Sequence, residues 1–276
     1  MLKRAFTLIE VLAVVATIAT LTGLLLPSLA SARHAARSAA CSVSLGQLAL
    51  AVQVYALDFK DAAPPGAAEF LKNLSRWHGS RAKASQAFSP AGGSMSAYLG
   101  QESGGNADGG GRVCPTFRPT LAALADRPSA ATGGFERGCG GYGYNNTYLG
   151  VARRTFSDGS SVVASDRVGS PLSRFVRPAA TIAFADSAFA SSAAPGGLIE
   201  YSFVEPRFWP DNPAHRPDPS MHFRHTARAN MAMLDGHVES QARTSTWSSG
   251  MYGTPAVGPA TGWPGIADTN ELFDYE

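Results

Sequence analysis

Charge is what this sequence has least of. Asp, Glu, Lys and Arg make up 16% of its 276 residues, and the net charge is +2. Soluble domains average about a quarter charged residues. The balance excludes a strongly basic nucleic-acid binder, which needs a Lys/Arg excess to displace counterions, so nucleic acid is not an expected partner. It also excludes disorder driven by charge. Three cysteines are too few for a disulfide scaffold and lack zinc-ribbon spacing. There is no Gly-x-Ser-x-Gly elbow, no His-Glu-x-x-His motif and no phosphate loop. The chain therefore reads as a non-enzyme that requires no cofactor. In excess are glycine (29) and proline (18), which announce long loops.

The apolar residues are unevenly placed. From Ala5 to Ala32, 28 residues carry a single charge, Glu10. About 20 apolar residues cross a bilayer as a helix, with every backbone polar group satisfied internally. The stretch exceeds the roughly 7–15 residues of a signal-peptide core. Lys3-Arg4 and Ala30-Ser31-Ala32 nevertheless suit an ordinary secretory signal. A carboxylate costs about 2.5–3.5 kcal/mol at mid-bilayer and less near the surface; Glu10, near the start of the stretch, still calls for a partner.

Helical periodicity continues past Arg33. Cys41, Leu45, Leu48, Val52, Tyr55 and Phe59 follow one another at intervals of 4, 3, 4, 3 and 4, which places them on one stripe. Pro64-Pro65-Gly66 ends the pattern. The spacing predicts one helix from about Phe6 to Phe59, roughly 80 Å long. Its half over residues 6–32 is apolar all round. Its half over 33–60 is amphipathic, and the stripe needs the rest of the chain as a cover. Gly23 and Pro27 are weak points, since Pro27 removes a backbone hydrogen bond. They mark either a tolerated kink or a segment that loosens on leaving lipid.

The run Lys3-Arg4-Ala5-Phe6-Thr7-Leu8-Ile9-Glu10-Val11-Leu12 resembles the N-terminal signature of type IV pilin-like proteins, the pilins and the pseudopilins of type II secretion. The resemblance implies a leader over residues 1–5, cut between Ala5 and Phe6 by a prepilin peptidase. Ala5 stands where the family usually has glycine. It also implies N-methylation of Phe6, an assembly role for Glu10 and local melting of the helix at Pro27. A buried Glu10 would be stabilised by the amine of a neighbouring subunit's Phe6, because opposite charge offsets desolvation. A contact within the chain, one turn away, is the plainer alternative. The implied partners are other pilin-like subunits in a homo- or hetero-polymer, the prepilin peptidase, the inner-membrane assembly machinery and the membrane. The implied location is the bacterial inner membrane, single-pass, with a cytoplasmic N-terminus and a periplasmic head. Lys3 and Arg4 agree with a cytoplasmic start, but Arg33 and Arg37 flank the other side.

Residues 61–276 read as that globular head. Candidate strands are Thr147–Val151, Ser161–Ala164, Thr181–Ala185, Leu198–Val204, and Asn230–Leu234 with His237–Ser240. The last pair is joined by Asp235-Gly236, a two-residue hairpin signal. Segments 101–112 and 248–265 read as Gly-rich loops. The fold class is α+β and pilin-like: one long N-terminal helix packed on an antiparallel sheet, with long loops. A second resemblance, to a large pseudopilin-like group, rests on several motifs. These are Cys41 with Leu45-Gly46-Gln47-Leu48, Tyr55 and Asp58; Cys114-Pro115; Tyr142-Gly143-Tyr144-Asn145; and His225, nine residues, then Asp235-Gly236. It leaves the role of the His-x9-Asp-Gly motif open.

Three further sites need a structure to judge them. His222, His225, Asp235 and His237 are a candidate metal set around the hairpin, with a structural role in the turn as the alternative. Asp268, Glu271, Asp274 and Glu276 offer hard oxygen ligands for Ca²⁺, as in the C-terminal loop of major pseudopilins, or form a solvated tail. In an oxidising periplasm a Cys114–Cys139 disulfide would restrain the loop between them, with Cys41 a buried thiol or the partner of either. The expected function is a pilin-like subunit of a periplasmic or surface filament, with type II secretion favoured over a pilus. The competing expectation is an exported or membrane-anchored periplasmic binding protein or hydrolase with an ordinary signal or anchor.

Overall fold

The structure is a computed structural model that describes residues 7–86, 88–100, 113–125, 136–157, 160–192, 194–251, 260–266 and 268–275. Helix α1, Leu8–Asp58, has 51 residues and a length of roughly 75 Å. It starts on a capping box. The Thr7 side chain accepts from the Glu10 N–H, and the Glu10 carboxylate accepts from the Thr7 N–H at 2.8 Å. Two of the first orphan donors are thereby satisfied. At its other end the Asp61 N–H reaches the Ala56 carbonyl at 2.8 Å, with Lys60 and Asp61 at positive φ. This left-handed stop satisfies the Ala56 carbonyl, and the Phe59 N–H satisfies that of Tyr55, so the helix ends just before Phe59.

The stripe is buried from Cys41 to Tyr55. Phe59, its sixth member, is half-exposed because it lies past the last helical residue. Its ring stacks on Tyr55 at 4.1 Å.

The stripe packs on a four-stranded antiparallel sheet. Its strands are β1 (Tyr142–Tyr144), β2 (Ile182–Asp186), β3 (Arg228–Met233) and β4 (Val238–Ala242), in the spatial order β1-β2-β3-β4. The register pairs Gly143 with Ala185, Phe184 with Ala232, and Met231 with Glu239. Helix α1 lies chiefly on β3. Two polar ties fix its position: Asn230 Nδ2 donates to the Ser38 carbonyl at 3.2 Å, and Gln53 Nε2 donates to the Leu234 carbonyl at 2.9 Å. Every residue of β2 is buried. Trp77 meets Phe184 edge-on at 5.0 Å.

The expected Ser161–Ala164 strand is observed as Ser161–Ser165, paired with Ala152–Thr155. Residues 147–151 are a turn, not a strand. Buried Asn145 organises that turn. Its amide donates to the Ile182 and Phe273 carbonyls, and its Oδ1 accepts from the Tyr148 N–H. Within Leu198–Val204, ladder pairing is confined to Leu198–Ile199 against Phe189–Ala190. Farther along, Ser202 O accepts from Tyr144 N–H and Val204 N–H donates to Tyr144 O.

The hairpin forms between β3 and β4, but its loop is Leu234-Asp235-Gly236. The Gly236 N–H donates to the Met233 carbonyl, and Gly236 has φ +98°. This is a type I turn followed by a left-handed bulge residue. Of the segment read as a loop over 248–265, residues 252–259 lie outside the described residues, and the part after them is corrected. Thr261–Gly262 pairs with Met221–His222, and Trp263 is fully buried with its Nε1 donating to the Glu205 carbonyl at 2.8 Å. Segment 101–112 lies outside the described residues.

Candidate functional site

Two features stand out: the bare half of α1, and a buried cluster where α1 meets the head. Along the first half every described residue from Thr7 to Arg37 is exposed. Leu8, Ile9, Leu12, Leu21, Leu24 and Leu26 each show more than half their surface. This part of α1 is long and apolar enough to cross a membrane, by length and composition.

Its few polar side chains turn back on the helix itself. The hydroxyls of Thr17, Thr20, Thr22 and Ser28 donate to the carbonyls of Val14, Ala16, Ile18 and Leu25 at 2.8–2.9 Å. Such bonds hide hydroxyls that lipid could not satisfy. Helix α1 runs through Pro27. The ring abuts the carbonyl four residues back, which belongs to Gly23, and Pro27 leaves that carbonyl without its helical donor. An added Cβ at Gly23 would meet nothing within 4 Å. Gly23 and Pro27 thus form one weakened turn. Glu10 is held by Thr7 through both backbone and hydroxyl, each at 2.8 Å. The signal for this cap, Thr-x-x-Glu ahead of an apolar run, stands in the sequence. Ala5 and Phe6 lie outside the described residues.

At the junction, the disulfide is Cys41–Cys114, not Cys114–Cys139. Cys139 is a buried free thiol whose Sγ lies 3.4 Å from the Tyr201 carbonyl. Burial, and then the Glu200 carboxyl beside it, push that thiol well above its ordinary range. The pairing follows the fold: the helical stripe carries Cys41 under the head to a Cα separation of 5.3 Å from Cys114.

The candidate metal set does not assemble as His222, His225, Asp235 and His237. Asp235 and His237 pair with each other at 2.7 Å on the exposed hairpin loop, beyond the far end of β3 from His225. That loop contact is the structural role of Asp235. His222 is buried beside Phe117, and burial holds its imidazole neutral, well below the usual range.

His225 instead joins a different group. Its Nε2 lies 3.2 Å from Asp186 Oδ2 and 3.7 Å from Cys114 Sγ. Asp186 Oδ2 also accepts from the Asn230 N–H at 2.8 Å. Arg224 Nε stands 3.7 Å from Asp186 Oδ1. Asp186 was not among the sequence candidates, because a lone acid ending an apolar strand carries no motif. Of the proposed calcium ligands, Asp268 is engaged by Arg216 at 2.7 Å and Arg207 at 3.5 Å. Glu276 lies outside the described residues.

No curated protein and no solved structure matches the chain. Residues 30–103 match a family model described as a protein of unknown function, DUF1559. Over those residues, which include the amphipathic half of α1 and Cys41, the chain is similar to that family.

Proposed function

We propose that the chain is a structural pilin-like (pseudopilin) subunit and not an enzyme. In this reading a prepilin peptidase cuts between Ala5 and Phe6, and Phe6 is N-methylated. Residues 6–32 sit in the bacterial inner membrane with the N-terminus cytoplasmic and the head periplasmic. They then pack with other pilin-like subunits in the core of a filament, most naturally that of a type II secretion system.

The observation that carries this reading is the division of α1. One unbroken helix is apolar and exposed on every side over its first half. With no linker, its second half buries a stripe against the head. A simple membrane anchor has no need of rigid continuity into its domain, whereas a subunit that must transmit packing from a filament core to its head does. The apolar half must be covered, first by lipid and then by equivalent helices. The loosened turn at Gly23 and Pro27 suits a helix that changes surroundings.

Mass spectrometry of the N-terminal peptide from membranes tests it. A chain beginning at methylated Phe6 is expected. A chain beginning at Arg33 would establish ordinary secretion and overturn the proposal.

A further inference from the structure

The Cys41–Cys114 disulfide has two further ligand-type neighbours. Cys41 Sγ, Cys114 Sγ, one Asp186 carboxylate oxygen and one His225 ring nitrogen all lie within 4.8 Å of one another, and all four residues are buried. They come from α1, from the segment before α2 (Arg118–Ala125), from the end of β2 and from the turn that enters β3. The fold therefore converges four separate segments on one point.

A tetrahedral ion with ligands at about 2.0–2.3 Å keeps its ligand atoms roughly 3.3–3.8 Å apart. The 3.7 Å from Cys114 Sγ to His225 Nε2 and the 3.2 Å from His225 Nε2 to Asp186 Oδ2 are close to that spacing. Asp186 Oδ1 is buried and has no hydrogen-bond partner among the described residues. Thr116 Oγ1 stands 3.5 Å from His225 Nδ1, on the ring's other side. A group there orients an imidazole ligand.

The charges also balance. Two thiolates and the Asp186 carboxylate are neutralised by a divalent ion together with Arg224, whose guanidinium lies 3.7 Å from that carboxylate. When the sulfurs are joined to each other, Asp186 and Arg224 balance by themselves.

We infer that in the reduced chain Cys41, Cys114, Asp186 and His225 bind one zinc-class divalent ion, so that metal and disulfide are alternative staples between stalk helix and head. The exchange is balanced. An external dithiol gives two electrons and two protons to the Cys41–Cys114 bond and becomes a disulfide itself. The ion then displaces the two thiol protons to solvent. Two thiolates, an imidazole and a carboxylate suit Zn²⁺ and exclude Ca²⁺ and Mg²⁺, which take oxygen ligands.

The full chain in detergent micelles provides the test. Half is kept oxidised, and half is reduced with dithiothreitol under nitrogen and freed of reductant. Each half is titrated with Co²⁺ and then with Zn²⁺. The reduced chain is expected to take up one Co²⁺ with thiolate charge-transfer and tetrahedral d–d bands, which Zn²⁺ abolishes. The oxidised chain is expected to take up none. His225→Ala and Asp186→Asn should each weaken Zn²⁺ binding at least about 10-fold, while Cys139→Ala leaves it unchanged. A reduced chain that takes up no cobalt, equal uptake by the oxidised chain, or affinity indifferent to both substitutions would overturn the inference. Should either variant not fold, X-ray absorption of the zinc-loaded parent chain decides. Two sulfur and two lighter scatterers support the site; any other sulfur count sinks it.

Discussion

Cys41 and Cys114 are 73 residues apart in sequence and joined across the boundary between stalk helix and head, with Cα atoms 5.3 Å apart. Closing a loop of that size restrains the unfolded chain by about 4 kcal/mol in the chain-entropy account. Replacing both cysteines by serine should cost stability on that scale, read from urea unfolding of the oxidised protein. Cys139→Ala should cost less than half as much. One thiol per chain should react when the unreduced protein is denatured; three would refute the pairing.

Arg76 and Glu136 form a second long-range tie, a buried ion pair at 2.7 Å with both side chains at most 1% exposed. Ser202 Oγ donates to the same carboxylate at 2.6 Å, and the Arg76 guanidinium lies 5.1 Å from the Phe70 ring. Glu136→Gln would leave the guanidinium uncompensated in a dry site. A loss of about 3–5 kcal/mol is expected, and a change under 1 kcal/mol by chemical denaturation would contradict the burial.

Glu205 makes stability depend on pH. Burial, helped by the charge of Glu136, pushes its carboxyl up to about 7, against the pull of the Tyr201 hydroxyl at 2.6 Å. The fold thus holds a proton that the unfolded chain, with the ordinary value of 4.5, releases between those limits. This stabilisation is fully present below pH 4.5 and is lost as pH rises through 7, by about 3 kcal/mol. His222 acts oppositely: its depressed value costs stability as pH falls below 6.5. The observable is therefore a difference. Glu205→Gln should gain stability relative to the parent chain between pH 4.5 and 7.5, and parallel profiles would rule the shift out.

Glu10 has both a local role and a proposed one. The Thr7–Glu10 box caps α1. Thr7→Ala removes half of that cap and keeps the carboxylate. If Glu10 registers subunits through a neighbour's amine, Thr7→Ala cells form filaments and Glu10→Ala cells do not, while both chains insert in the membrane. Loss of filaments in both, scored by electron microscopy of cells overproducing the subunit, would reduce Glu10 to a capping residue.

Periodicity and composition alone determined the long helix, its division into an apolar and an amphipathic half, its buried stripe from Cys41 to Tyr55 and the existence of a hairpin around Asp235-Gly236, though not its three-residue loop. Those are local properties. A 3.6-residue repeat and a residue tolerant of positive φ act on their own neighbours and need no knowledge of the rest of the chain. The cap at Thr7 is equally local, and its Thr-x-x-Glu signal stands in the sequence, but the periodicity starts the helix at about Phe6 without it.

What tertiary structure decided is what distant segments do to one another. Cysteine pairing depends on which face of α1 meets the head, so Cys114 finds Cys41 and leaves Cys139 as a thiol. Asn145 turns residues 147–151 away from a strand because the carbonyls of Ile182 and Phe273 lie within its reach. His225 leaves the hairpin histidine for Asp186, since β3 separates His225 from His237 while the sheet sets the entry to β3 beside the end of β2. Spacing in sequence does not encode these distances; the packing of one helix on four strands does.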